Sequence, residues 1–95
     1  MEKTAVNKKY LLDMIFRASV IISNLREANH ERASVDIDEL YALSRDVVIT
    51  YRGSVLPVYL HVGAALSRVK ALKISRAIEC MMAFVFDVSR CDEAR

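Results

Sequence analysis

The sequence predicts an all-α fold: a compact bundle of three to four helices, with its core completed by dimerisation. Three observations predict it. Apolar residues recur at alternating spacings of four and three along most of the chain, the period of a helix with one buried stripe. Only two Gly and one Pro interrupt 95 residues. Finally, 54% of the residues are hydrophobic, whereas a domain of this size buries only roughly 60–65% of the surface its unfolded chain exposes. The apolar surplus points to a partner, and a second copy of the chain is the simplest one. The same figures exclude disorder, because mean hydropathy is +0.19 and net charge is +2. One domain spanning residues 1–95 is the ceiling at this length, which leaves no room for a doubly wound sheet or a (β/α)₈ barrel.

The first helix is expected over residues 7–29, after a frayed 1–5. Leu11, Ile15, Ala18, Ile22 and Leu25 form its stripe, and Leu12, Met14, Ile21 and Ala28 widen it. Phe16 and Val20 lie further round still, so this helix is apolar on more than one side. The polar stretch 24–34 then marks its end. A second helix is expected over 36–52, where Asp36 and Glu39 have the spacing of a capping box and Gly53 follows as a C-cap. Its stripe is Ile37, Leu40, Tyr41, Ser44, Val47, Val48 and Tyr51. The β-branched and aromatic run Val47–Tyr51 also suits a strand, but the helical period continues through it.

A third helix is expected over 55–71, with Ser54 as cap and Pro57 in the first turn, where a missing amide hydrogen costs little. Val55, Tyr59, Val62, Leu66 and Val69 form its stripe. The phase then breaks. A new stripe of Ile74, Ile78, Met81, Val85 and Val88 implies a bend near 71–75 and a fourth helix over 75–90, capped by Ser75. Residues 90–95 are polar and expected to fray. No internal repeat is evident beyond the likeness of two heptad-type stripes.

Chemistry is sparse. The metalloprotease, nucleophile-elbow, phosphate-loop and dinucleotide motifs are absent, so the chain is expected to be no enzyme and to carry no cofactor. The scattered His30, His61, Cys80 and Cys91 are not spaced as a metal site; His61 and Cys80 could meet in space, but a locally hydrogen-bonded His61 is the simpler reading. Cys80 and Cys91, roughly 16 Å apart on one helix, are too distant for a disulfide. Reduced thiols and a start that lacks a signal-peptide pattern read as cytoplasmic. The longest uncharged run, 15 residues from Gly53 to Ser67, is too short to span a membrane.

Two function classes remain. The leading one is a small helical protein-protein interaction module, such as a regulator, adaptor or chaperone-like subunit, acting as a homodimer. Its expected partner or dimer surface is Phe16 and Val20 on the first helix with Met81, Met82, Phe84 and Phe86 on the last. Phe84 and Phe86 cannot both face the neighbour that Met81 and Val85 face, so one of them lies on a second face. The alternative is a dimeric DNA-binding regulator. No acid lies between Asp46 and Glu79, whereas Arg52, Arg68, Lys70, Lys73 and Arg76 do, and six acids lie within 27–46. Such a lobe could neutralise phosphates, but at ~100° per residue its cations encircle a helix. The basic lobe could also meet the acidic segment of another subunit.

Overall fold

In a computed structural model, which describes residues 8–45, 49–51, 54–56 and 58–90, the architecture is set by two short corners. Helix α1 (Lys8–Arg26) turns into α2 (His30–Ser44), and α3 (Tyr59–Lys70) turns into α4 (Ile74–Ser89). Both corners are Schellman turns. In the first, Asn29 N–H donates to the Asn24 carbonyl and Ala28 N–H to Leu25; in the second, Lys73 N–H donates to Arg68 and Leu72 N–H to Val69. These bonds satisfy carbonyls that the helix ends would leave unpaired. Such turns need a residue in the left-handed region, and here these are Ala28 (φ 64°) and Leu72 (φ 61°).

A side chain in that conformation is strained, which is why Gly is the usual occupant. Ala28→Gly and Leu72→Gly are therefore each expected to raise unfolding stability by a few tenths to about 1 kcal/mol, the strain relief less the added freedom of the unfolded chain. Denaturant midpoints of the single and double variants check this, with the two effects adding because the corners are separate.

The helices run up-down-up-down. The Tyr10 hydroxyl, near the start of α1, donates to the Leu43 carbonyl near the end of α2. Tyr41, late in α2, packs edge-on against Tyr59 at the start of α3, with ring centroids 5.7 Å apart. His61 Nε2 in α3 lies 2.7 Å from Asp87 Oδ2 in α4. Each helix packs on its chain neighbours, and α1 also packs on α4, which closes the ring of four. Tyr41 approaches α3 at Gly63, where a Cβ would sit 3.1 Å from Tyr41 Cε1. This close passage is a reason for Gly inside a helix, where it otherwise costs ~1 kcal/mol relative to Ala.

The core carries an internal repeat that is nearly invisible in the letters. Met14, Ala18, Ile21, Leu25, Ala33, Ile37, Leu40 and Ser44 are buried, and so are Val58, Val62, Ala65, Val69, Ala77, Met81, Phe84 and Val88, each 44 residues further on. The chain is thus two helical hairpins built on one pattern of burial. Identity between residues 8–44 and 52–88 is confined to Leu12/Leu56, Ser23/Ser67, Arg32/Arg76 and Ala33/Ala77. Ala33 and Ala77 sit at matching points in the second helix of each hairpin, where a small side chain lets the helices approach closely.

Several expectations change. The second helix starts at His30, not residue 36, with Asn29 in the N-cap position and no side-chain cap bond. Asp36 lies within the helix; burial of Ala33 holds the earlier turn against its polar sequence. Where helix was expected to continue to 52, Ile49–Tyr51 is a strand (β1) paired antiparallel with Ser54–Leu56 (β2), Thr50 opposite Val55. Here β-propensity prevails over the helical period. This hairpin occupies the positions 44 residues after the first turns of α1, so α3 begins later than expected, and Ser54 is a strand residue instead of a cap. Val47, Val48, Arg52, Gly53, Pro57 and Cys91 lie outside the described residues. The bend is present, but Lys73, not Ser75, occupies the N-cap position of α4. Ala28 belongs to a turn instead of the α1 stripe.

Candidate functional site

Burial separates the six residues expected to meet a partner into two groups. Met81 and Phe84 are fully buried and belong to the bundle core, because the α4 stripe runs through Ala77, Met81, Phe84 and Val88, one residue out of phase with the expected one. They are removed from the surface. Phe16, Val20, Met82 and Phe86 are exposed: 67% of Phe16 and 53% of Phe86 remain accessible.

These four, joined by exposed Leu12, share one face. At ~100° per residue, Leu12, Phe16 and Val20 project from the side of α1 opposite its buried stripe of Leu11, Met14, Ala18, Ile21 and Leu25. On α4, Met82 and Phe86 project from the outer side next to α1. A groove of about 400 Å³ between the helices, lined by Ser19, Ile22, Ser23, Arg26, Glu27 and Met82, continues this surface. At the C-terminal end of α4, the Arg90 guanidinium carbon lies 5.0 Å from the Phe86 ring centroid, within cation-π range. Helix α1 is accordingly apolar on two opposite sides, and α2 and α4 flank only one of them.

The repeat supplies an internal control. Forty-four residues separate Phe16 from Leu60, Val20 from Ala64, Asp38 from Met82 and Ala42 from Phe86. Leu60 is also exposed, at 57%, whereas the counterparts of Val20, Phe86 and Met82 are Ala64, Ala42 and Asp38. The same burial pattern is therefore built with Leu60 and Val35 exposed on that side, but with Asp38 and Ala42 where the other side carries Met82 and Phe86. Packing of the bundle does not require Met82 and Phe86 where they stand.

The basic residues form a different corner. Arg68 and Lys70 in the last turn of α3, Lys73 between the helices and Arg76 in α4 are all exposed, and no ion pair among the described residues engages them. Arg68 and Arg76 project toward the α3/α4 groove, whereas Lys70 projects toward α2, about 200° away around the helix. Arg68 and Lys70 also lie at the negative end of the α3 dipole, where cations are stabilising in any case. The acidic segment has a role inside the chain, since Glu39 reaches Arg17 of α1 (4.0 Å), which also pairs with Asp13 (3.0 Å).

His61 meets Asp87 and not Cys80; Cys80 is a half-buried free thiol. The signal for that pair was a single acid near the end of the last helix, which sequence spacing alone does not link to His61. Among the described residues no three His, Cys, Asp or Glu side chains converge as a metal ion requires, and no helix is long and apolar enough to cross a membrane. Searches of family models, curated proteins and solved structures returned no match to this chain.

Proposed function

We propose that the protein is a non-enzymatic helical interaction module, a regulator, adaptor or chaperone-like subunit, that works as a homo-oligomer through the outer face of α1 and α4. The observation that carries this reading is the exposed set Leu12, Phe16, Val20, Met82 and Phe86 on adjoining helices. Five such side chains present on the order of 500 Å² of apolar surface, at the upper end of the largest patch on an ordinary monomer. The α2/α3 counterpart, with Asp38 and Ala42, supports a functional reason over a packing one. Met and Phe suit such a role because both contribute large contact area and Met adapts its shape.

The reading is tested by hydrogen exchange on the wild type at low and high protein concentration. Amides of α1 and α4 should gain protection with concentration while those of α2 and α3 do not; uniform protection at all concentrations contradicts it.

The exposed corner of Arg68, Lys73 and Arg76 favours the second reading, a dimeric DNA-binding regulator, to the extent that these cations have no ion-pair partner among the described residues. Under that reading duplex DNA is bound with an affinity that falls steeply with salt, and Arg68, Lys70, Lys73 and Arg76 changed together to Ala abolish it. A gel shift at low salt decides: absence of any shift removes the reading. The lie of Lys70 and the dipole role of α3's terminal cations leave the interaction module as the preferred reading.

A further inference from the structure

The α3–α4 corner, at one end of the bundle, carries an apolar point inside a ring of cations. Leu72 is the most exposed large hydrophobic side chain among the described residues, with 76% of its surface accessible. It stands at the left-handed position of the Schellman turn (φ 61°). That position asks for a backbone conformation, which Gly adopts without strain, and not for an apolar side chain. Little of Leu72 packs on the bundle, so neither the turn nor the core accounts for a leucine here.

Around it stand Arg68, Lys70, Lys73 and Arg76, all exposed and none in an ion pair among the described residues. Residues 68–76 contain these four cations and no acid. Arg68 and Arg76 lie on one side and Lys70 on another, each within about one helical turn (~5.4 Å) of the tip, a distance their long stems cover. The α1–α2 corner at the same end of the bundle is a control built on the same fold. There, residues 24–32 place Ala28 at the left-handed position and set two acids, Glu27 and Glu31, against two arginines, Arg26 and Arg32. A Schellman corner is therefore made in this chain without the leucine and without the excess of charge.

We propose that this tip docks end-on onto an anionic lipid bilayer, with Leu72 entering the headgroup boundary and the cations meeting lipid phosphates and carboxylates around it. Geometry selects a plane. Cations about 200° apart around α3 do not line one face along a duplex, but a ring about the end of the bundle meets a flat surface on every side. An apolar tip has no partner on a phosphate backbone, whereas the boundary of headgroups and acyl chains takes it. An apolar anchor and a polybasic patch are the two signals that together hold a protein on an anionic membrane. The contact asks for insertion of one side chain only, in keeping with helices that are not long and apolar enough to cross. The tip shares no residue with the set Leu12, Phe16, Val20, Met82 and Phe86, so this inference goes beyond the interaction reading and stands apart from it.

The test is cosedimentation of the full chain with vesicles of phosphatidylcholine alone and of phosphatidylserine and phosphatidylcholine in equal parts. The wild type should bind the anionic vesicles and not the neutral ones, with an affinity that falls as salt screens the surface. Lys70→Ala, and Arg68→Ala on the other side of α3, should each weaken binding about fivefold, the effect of one basic residue near an anionic surface. Leu72→Gly should weaken it about tenfold while its denaturant midpoint rises, so that loss of the fold does not explain the loss of binding. A wild type that ignores anionic vesicles at low salt overturns the proposal, and a shift of duplex DNA in the same buffer then assigns these cations to the DNA-binding reading. Vesicle binding that Leu72→Gly leaves unchanged also overturns it, because the contact is then ionic adsorption without an apolar anchor. Self-association of the wild type, present or absent, bears on the interaction reading alone.

Discussion

Replacing Phe84 by Ala is expected to remove about 3–5 kcal/mol of stability, and replacing it by Glu to leave the chain without a cooperative fold. Phe84 is fully buried, with Met81 and Val88 above and below it in the stripe that α4 turns inward. Truncation loses the transfer free energy of the ring and leaves a cavity that the surrounding helices fill only in part. A domain of this size has a total stability on the order of 5–14 kcal/mol, so the loss is a large share of it. A buried carboxylate adds the cost of an unpaired charge. Phe86→Glu, two residues on, should unfold at nearly the wild-type denaturant midpoint, because more than half of that side chain is exposed. Chemical denaturation followed by circular dichroism separates the two. Equal losses at both positions would contradict the placement of α4.

The converse experiment reads assembly instead of stability. Phe16→Glu is expected to leave the monomer fold intact, since Phe16 is 67% exposed and Glu is at least as good a helix former as Phe. In the proposed homodimer each copy would lose an exposed aromatic anchor and place a carboxylate on an apolar face. Truncating such an anchor costs about 2 kcal/mol or more, and the two-fold doubles it, which amounts to roughly a thousandfold weaker association. Phe86→Glu should weaken it by a similar amount. Leu60→Glu, at the counterpart of Phe16 on α3, should change neither property. Size-exclusion chromatography with in-line light scattering compares the three variants at equal concentration.

The all-α class, the bend after α3 and the two-sided character of α1 follow from residue spacing alone, because a 3.6-residue period survives local conflicts. Boundaries are less legible where charge masks burial. His30–Arg32 look like a linker, but Ala33 behind them is buried, and a single Ala carries little signal in a polar stretch. Val47–Tyr51 suits both helix and strand, and pairing with Ser54–Leu56 decides the matter through a contact that spacing does not contain. The candidate surface is legible in part. Phe84 and Phe86 must face different ways, but which one faces inward depends on the phase of α4, and stripes through 74, 78, 81, 85, 88 and through 77, 81, 84, 88 differ by a single residue step. The 44-residue repeat hides for a related reason: what recurs is burial, and Met14/Val58 or Leu40/Phe84 meet the same requirement with different side chains.

The central claim is that the outer face of α1 and α4 joins two copies of the chain. Sedimentation equilibrium of the wild-type protein tests it most directly. The mass should rise with concentration from that of one 10.8 kDa chain to twice that value and go no higher, and Phe16→Glu should hold it at one chain throughout. A wild-type mass of one chain at roughly 100 μM, far above the micromolar dissociation constants of weak interfaces of this size, would contradict it.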